Sequence, residues 1–166
     1  MNTSCGKRFC AFLFALFCFQ QVLSAAGVVT NCDEETLRAA MVGGGTVTFA
    51  CDGTITLADQ LTIDTDTTLD ATGHNVVLSG GNAVRLFNIN AGTSLTLINL
   101  TIANGRNQGV DGAPGAAGGQ GSGGAFNVDN ATLTLLGCRI WTNTVVGGAG
   151  GNGNPEGYGG GGLGGA

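Results

Sequence analysis

Three aspartates, Asp64, Asp66 and Asp70, are the residues whose types and spacing most suggest chemistry, and Arg85 follows them as a candidate base. Carboxylates grouped in this way cleave glycosidic bonds as a pair or hold a calcium ion. Asp64 and Asp66 lie between two predicted strands, where aspartate is common because its side chain hydrogen-bonds to the backbone of tight turns. We therefore predict turn and strand-end residues here, and no catalytic residue is assigned.

The single histidine, His74, lies in the predicted corner Gly73-His74-Asn75. The sequence shows no partner with which this imidazole would share a proton in acid–base catalysis. The six cysteines include no Cys-x-x-Cys pair, and none has a histidine close by. Structural zinc sites need such spacings, so neither a metal site nor a cofactor is predicted.

Three of the six cysteines precede residue 27, which leaves Cys32, Cys51 and Cys138 in the rest of the chain. An oxidising compartment favours a disulfide between Cys32 and Cys51, because it would tie the segment after residue 26 to the first predicted strand. Cys138 takes the position of Leu100 in the repeat described below. This position favours a buried free thiol over a metal ligand.

One stretch of the chain occurs twice, and it organises the rest. Residues 87–102 recur as residues 126–140, so that Phe87 matches Phe126 and Leu97 matches Leu135. In both copies apolar residues alternate with Asn, Thr or Ser, a pattern typical of short strands with one buried face. The copies begin 39 residues apart (126 minus 87), or about 20 residues apart without the glycine-rich run between them.

A unit of this size cannot bury its own apolar face, so successive copies are expected to stack as a parallel β-solenoid over residues 46–146. The fold class is therefore predicted to be all-β, with about four coils. Inward-facing side chains should form columns. Two such columns are predicted, one of Leu69, Leu97 and Leu135 and another of Ile63, Ile102 and Ile140.

Residues 27–45 are predicted to form an N-terminal cap with one short helix. Asn31 is taken as the N-cap residue, and acidic residues follow where the helix dipole favours them. Leu37, Ala40 and Met41 fall on one face of this helix, and three glycines end it. Since the first coil of a solenoid exposes its core, we expect this apolar face to cover it.

Two glycine-rich segments, residues 106–124 and 147–166, have no core-forming character. In the first, glycine recurs at every third position from Gly109 to Gly124. This period is collagen-like, but five triplets with one proline are too few for a stable triple helix. Because glycine loses much entropy on ordering, we predict a flexible side loop at 106–124 and a disordered tail or truncated loop at 147–166.

The first 26 residues have the pattern of a secretory signal peptide. Lys7 and Arg8 precede an apolar run over residues 9–19, and Ser24-Ala25-Ala26 supplies a small-residue cleavage site. The run is about 11 residues long, too short for a transmembrane helix. Without this segment four basic residues (6 minus 2) face eleven acidic ones, a net charge of −7. Nucleic acid is therefore not an expected partner, because binding it needs basic residues.

Two groups of motifs resemble a known family. The first is Cys32 with Leu37-Arg38-Ala39-Ala40 and then Val47-Thr48-Phe49-Ala50-Cys51, which is similar to the opening of secreted bacterial right-handed parallel β-helix proteins with a pectin-lyase-like fold. The second is Phe87-Asn88-Ile89-Asn90 with Gly123-Gly124-Ala125-Phe126, which resembles the repeats of polymorphic outer-membrane proteins. The latter motif carries Phe where that group has Ile.

The resemblance implies a right-handed parallel β-helix at the bacterial cell envelope or outer membrane. It also implies surface display or adhesion. The signal, the repeat and the scarcity of catalytic groups favour a protein without catalysis, with surface glycans or other cell-surface proteins as partners. We expect this chain to be an N-terminal fragment of a longer protein, since no cover for the last coil is evident. The alternatives are a carbohydrate-active enzyme, a lyase or hydrolase whose active site lies downstream, and a disordered glycine-rich matrix protein.

Overall fold

The computed structural model of the chain describes residues 27–153, which contain one helix and fourteen strands. The predicted signal, residues 1–26, and residues 154–166 of the predicted tail lie outside this range. The elements are α1 (Glu34–Ala40) and the strands β1 (Gly27–Val29), β2 (Gly45–Phe49), β3 (Gly53–Thr56), β4 (Leu61–Ile63), β5 (Thr67–Asp70), β6 (Val76–Ser79), β7 (Phe87–Ile89), β8 (Ser94–Ile98), β9 (Leu100–Ala103), β10 (Arg106–Gln108), β11 (Phe126–Val128), β12 (Thr132–Leu136), β13 (Arg139–Trp141) and β14 (Thr144–Val146).

The described strands pair in parallel and form four sheets. Sheet A has the order β1-β2-β5-β8-β12, sheet B the order β3-β6-β9-β13 and sheet C the order β4-β7-β11, while β10 pairs with β14. Each passage of the chain through sheets A, B and C is called a rung here, because equivalent strands of successive passages lie side by side. The predicted all-β class, with parallel strands and one short helix, is confirmed.

Inward-facing side chains of sheets A, B and C form one apolar core. Leu69 pairs in register with Leu97, and Leu97 pairs with Leu135, so the predicted leucine column is confirmed. The rings of Phe87 and Phe126 stack on sheet C with their centroids 5.5 Å apart. Like side chains thus repeat from rung to rung, which is how strands too short to fold alone bury their apolar faces.

The predicted isoleucine column is wrong for one of its members. Ile102 and Ile140 are paired on sheet B, but Ile63 lies on sheet C and pairs with Ile89. Each of the three isoleucines occupies an inward-facing position of its own strand. Alternation with a period of two identifies the buried face of a strand, but it carries no information on which sheet the strand joins.

Helix α1 begins two residues later than the sequence predicted. Its N-cap is Asp33, not Asn31, because Asp33 has an extended backbone and its carboxylate accepts a hydrogen bond from Thr36 N at 2.7 Å. Leu37 is fully buried, and Ala40 and Met41 pack beside it against the core. In the described part of the chain no helix is long and apolar enough to cross a membrane.

Two charged side chains attach α1 to the loop between β3 and β4. Glu34 Oε2 accepts a hydrogen bond from Ala58 N at 2.8 Å, and Arg38 Nε donates to Glu34 Oε1 at 2.8 Å. Arg38 Nη2 also donates to the carbonyl oxygen of Asp59 at 2.6 Å. The helix is therefore held over the first rung by polar contacts as well as by its apolar face.

Substituting Glu34 with glutamine is expected to reduce the acid sensitivity of folding. Burial raises the pKa of Glu34, but the Ala58 N–H and Arg38 outweigh it and hold the pKa below its ordinary value. A lowered carboxyl pKa stabilises the fold above the unfolded-state value and loses that effect as the pH falls through the folded value. Chemical denaturation at pH 7 and pH 3 should show a cost of about 1 kcal/mol at pH 7 only. An equal cost at both pH values would contradict this.

Cys32 and Cys51 form the predicted disulfide, with their Cα atoms 5.7 Å apart. The bond joins the turn before α1 to the turn between β2 and β3. Cys138 is a free thiol, as expected, but it is only partly buried. Its Sγ donates to the carbonyl oxygen of Leu97 at 3.3 Å. Partial exposure follows from its position on the last described rung, which has no neighbouring rung above it.

Residues 105–124 and 144–153 form one ordered projection, called the glycine arm here. It has three legs, an outgoing leg (105–113), a return leg (116–124) and a third leg (144–153). The outgoing leg donates to the third leg, with Gly109 N bonded to Val146 O at 2.9 Å. The third leg donates to the return leg through Gly148 N and Gly119 O at 2.8 Å, and the return leg donates to the outgoing leg through Gly119 N and Val110 O at 2.7 Å.

The period of three in the glycines reflects close approach of these legs. A Cβ atom built on Gly109, Gly112, Gly118, Gly121 or Gly148 would lie under 3.0 Å from backbone atoms of another leg. Residues 106–124 leave the stack as a side loop, as predicted, but backbone hydrogen bonds give the loop a defined structure where a flexible one was expected. The small side chains of this segment make few packing contacts, and backbone hydrogen bonds to the third leg take their place. Because glycine has no side chain, the legs approach closely enough for those bonds to form.

Substituting Gly148 with alanine is expected to separate the legs, at a cost of about 2 kcal/mol from overpacking. Gly148 is buried, and its new methyl group would collide with the carbonyl groups of Gly109 and Val110. Hydrogen exchange of the Gly109 and Gly119 amides should accelerate. Ala149→Ser is the matched control, because Ala149 is exposed on the same leg. Unchanged exchange in Gly148→Ala would show that the legs are not packed this closely.

Candidate functional site

The three aspartates singled out in the sequence form hydrogen bonds with residues of turns and strand starts. Asp64 accepts a hydrogen bond from Asn90 Nδ2 at 2.5 Å, and Asp66 accepts one from Ser94 N at 2.8 Å. Asp70 accepts from Thr72 N at 2.8 Å. The bonds of Asp64 and Asp66 connect their turn to the next turn of the stack, whereas the bond of Asp70 stays within its own turn, and all three suit turn and strand-end aspartates.

Arg85 does not lie among the aspartates but at the base of the glycine arm. Its Nε donates to Gly123 O at 2.8 Å, and its Nη2 donates to Ser122 O. Burial lowers the pKa of the Arg85 guanidinium. The structure thus does not bring the four sequence-predicted groups together, and Arg85 anchors the return leg instead.

His74 has a partner that the sequence did not reveal. Its Nδ1 lies 3.3 Å from Asp52 Oδ2, and Asp52 Oδ1 accepts from Asn75 N at 2.6 Å. The Asn75 N–H, followed by the His74 contact, lowers the pKa of Asp52. The two residues meet because Gly53 pairs with Val76, which stacks their corners. Within residues 27–153, the side-chain hydrogen bonds of this pair reach no serine, threonine or cysteine that it would activate.

A polar groove lies where the glycine arm leaves the stack. Its volume is about 400 Å³, and it is lined by Asp59, Gln60, Ala83, Val84, Arg85, Arg106, Asn107 and Gln108. Strand β10 supplies one wall, since Arg106, Asn107 and Gln108 all belong to it. Pairing of β10 with β14 and the bond from Ser122 N to Asn107 Oδ1, at 2.8 Å, hold this wall in place.

The groove offers carboxylate, amide and guanidinium groups in a small space. Arg106 Nη2 donates to Gln108 Oε1 at 2.7 Å, so the guanidinium plane is oriented by its own strand. Such planar groups recognise hydroxyl and carboxylate groups of a ligand through paired hydrogen bonds. Sequence reasoning missed this groove because residues 106–108 were assigned to a flexible loop. The only sign of the groove in the sequence was the run of three polar residues at positions 106–108.

A second groove, of about 320 Å³, lies between the end of α1 and strand β4. Its lining includes Met41, Val42 and Leu61 together with the charged residues Arg38 and Asp64. Both charged groups already bond elsewhere, to Asp59 and Asn90. This groove offers fewer polar groups for a ligand than the one at the arm.

The described residues contain no group of three or more His, Cys, Asp or Glu side chains that would hold a metal ion. Comparison with family models, curated proteins and solved structures finds no match to this chain.

Proposed function

We propose that this chain is a non-enzymatic, secreted or cell-surface protein with a right-handed parallel β-helix, and that it acts in surface display or adhesion. The parallel pairing of one strand per rung on three sheets around one core supports the β-helix. Right-handed connections between parallel strands are strongly favoured, which supports the hand. The motif resemblance to pectin-lyase-like and polymorphic outer-membrane proteins agrees with both.

Secretion is supported by the disulfide. Cys32 and Cys51 are bonded, and disulfides persist in oxidising compartments. The signal-like residues 1–26 would direct the chain there. Surface glycans or other surface proteins are then the partners within reach.

The observation that carries the adhesive role is the ordered glycine arm, which turns β10 into one wall of a polar groove. A groove that combines amide side chains with Arg106 suits a hydroxyl-rich ligand bearing carboxylates, such as an acidic glycan. Absence of catalysis is supported by the aspartates, whose bonds go to turn partners, and by Arg85, which donates to arm carbonyls.

Binding of the chain to immobilised acidic and neutral glycans tests this function. Arg106→Gln is expected to weaken binding to the acidic set at least about tenfold, because a charge-assisted hydrogen bond is lost. Arg106→Lys keeps the charge but not the planar fork, so it should bind at an intermediate level. Gln120→Ala, at an exposed position of the return leg, is the control.

Two outcomes would contradict the proposal. Equal binding by Arg106→Gln and the unaltered chain would show that the groove does not bind the glycan. Release of shortened sugars, abolished by His74→Ala, would favour the carbohydrate-active enzyme, with the His74 and Asp52 pair as its acid–base group.

A further inference from the structure

A large aromatic side chain lies exposed on the outer face of sheet B. Ile140 pairs with the fully buried Ile102, so its neighbours Arg139 and Trp141 point away from the core. The Trp141 residue is 52% exposed. A further strand beside β13 would lie about 4.8 Å to the side of these residues and would leave the outer face of the sheet open.

Arg139 holds its guanidinium group over this indole. The Cζ atom of Arg139 lies 4.1 Å from the centroid of the Trp141 ring, which is a cation–π contact. The contact orients both side chains on a surface where neither is packed into the core. Beside the guanidinium, much of the indole remains in contact with water. An exposed indole offers a broad apolar surface at low entropic cost, and the C–H face of a pyranose ring stacks on such a surface.

Trp141 lies close to the polar groove of the glycine arm. Its carbonyl oxygen accepts a hydrogen bond from Asn104 N at 3.3 Å, and Thr142 Oγ1 donates to Asn104 Oδ1 at 2.6 Å. Arg106, which lines the groove, follows Asn104 by two residues, and two residues span at most about 7 Å. The indole and the groove are therefore separated by a distance that a short oligosaccharide covers.

The charges near Trp141 favour an acidic ligand. Four arginines remain beyond the predicted signal, and one of them, Arg38, forms an ion pair with Glu34. Arg85 donates to a backbone carbonyl of the arm. In the described part of the chain, Arg106 and Arg139 have no carboxylate partner within ion-pair distance. On a chain with an excess of acidic residues, these two cations make one stretch of surface attractive to carboxylates.

We propose that Trp141 and Arg139 form a second subsite beside the groove, where a pyranose ring stacks on the indole while Arg106 binds the carboxylate of the adjoining sugar. This subsite rests on the glycan-binding function proposed above and specifies the ligand as a uronate-containing oligosaccharide. The groove residues follow β3, β6 and β9, so the ligand crosses successive rungs. Asp59, the carboxylate that lines the groove, belongs to the first rung, so the uronate lies at the opposite end.

Fluorescence of the full chain tests the stacking directly, because Trp141 is its single tryptophan. The probes are fragments of polygalacturonate, alginate and hyaluronan, the same fragments with their carboxylates reduced to alcohols, and polyglutamate as an acidic peptide. Uronate fragments should shift the emission to shorter wavelength in a saturable way, since a stacked ring excludes water from the indole. The reduced fragments should bind at least about tenfold more weakly, because charge-assisted hydrogen bonds are lost. Polyglutamate should leave the emission unchanged.

Calorimetry of variants measures the same contribution without the reporter. For the uronate fragment that binds most tightly, Trp141→Ala should weaken binding about tenfold, and Trp141→Phe, which keeps an aromatic face, should bind at an intermediate level. Arg139→Gln should weaken binding at low salt and have less effect at high salt, because an exposed charge is screened. Leu136→Ala is the matched control, since Leu136 is 51% exposed on the same rung but belongs to sheet A. Circular dichroism shows whether each variant is folded.

The results separate the subsite from the function on which it rests. Uronate binding that depends on Arg106, but leaves the Trp141 emission and the affinity of Trp141→Ala unchanged, would overturn the subsite and keep the glycan-binding function. An equal emission shift with polyglutamate would overturn the subsite and assign this surface to an acidic peptide, since tryptophan and arginine are also enriched where proteins bind one another. No binding of any uronate fragment by the unaltered chain would overturn both the subsite and the glycan-binding function.

Discussion

Replacing Leu97 with alanine is expected to lower the free energy of unfolding by about 4 kcal/mol. Leu97 is fully buried, with Leu69 on one side and Leu135 on the other. The cavity would interrupt a column in the middle of the stack, where backbone hydrogen bonds to both neighbouring strands prevent the walls from collapsing. Urea denaturation followed by circular dichroism measures this loss.

Leu136→Ala is the matched control for Leu97→Ala. Leu136 belongs to the neighbouring strand of the same sheet, but its side chain is 51% exposed. The expected cost is about 1 kcal/mol, from partial loss of apolar burial. Similar costs for the two variants would mean that the leucine column is not the stabilising core.

Removing the disulfide with Cys32→Ser and Cys51→Ser together is expected to cost about 3 kcal/mol. The bond closes a loop with a sequence separation of 19, so its loss increases the freedom of the unfolded chain. It also frees the turn before α1, which closes the first rung. Reduction of the unaltered chain should give the same loss in urea denaturation.

Cys138→Ser provides the control for the disulfide variant, because this thiol is partly buried and unpaired. Its expected cost is under about 1 kcal/mol, the value of one weak hydrogen bond. A disulfide variant as stable as this control would show that α1 and its polar contacts hold the first rung without the bond.

The internal repeat made the register of sheet A readable from the sequence. Two copies of one alternating pattern must place equivalent residues on equivalent strands, which is why Leu97 and Leu135 are paired. Ile63 was misplaced because its segment lies outside the two copies. Alternation alone left open which of three sheets it would join.

The Cys32–Cys51 disulfide and α1 were readable from local chemistry, with the cap displaced from Asn31 to Asp33. The pairing of His74 with Asp52 was not, because it joins corners of different rungs. Contacts between corners depend on how many residues each passage of the chain uses. That number varies here from rung to rung.

The sequence by itself determined that short alternating strands stack in parallel, since no single copy buries its apolar residues and the copies match. Only the tertiary structure decided the form of the glycine arm and the groove beside it. Glycine leaves no side-chain pattern to read, so the order of residues 105–124 depends on backbone hydrogen bonds to the third leg, which is distant in sequence. Those bonds exist only once β10 and β14 are brought side by side.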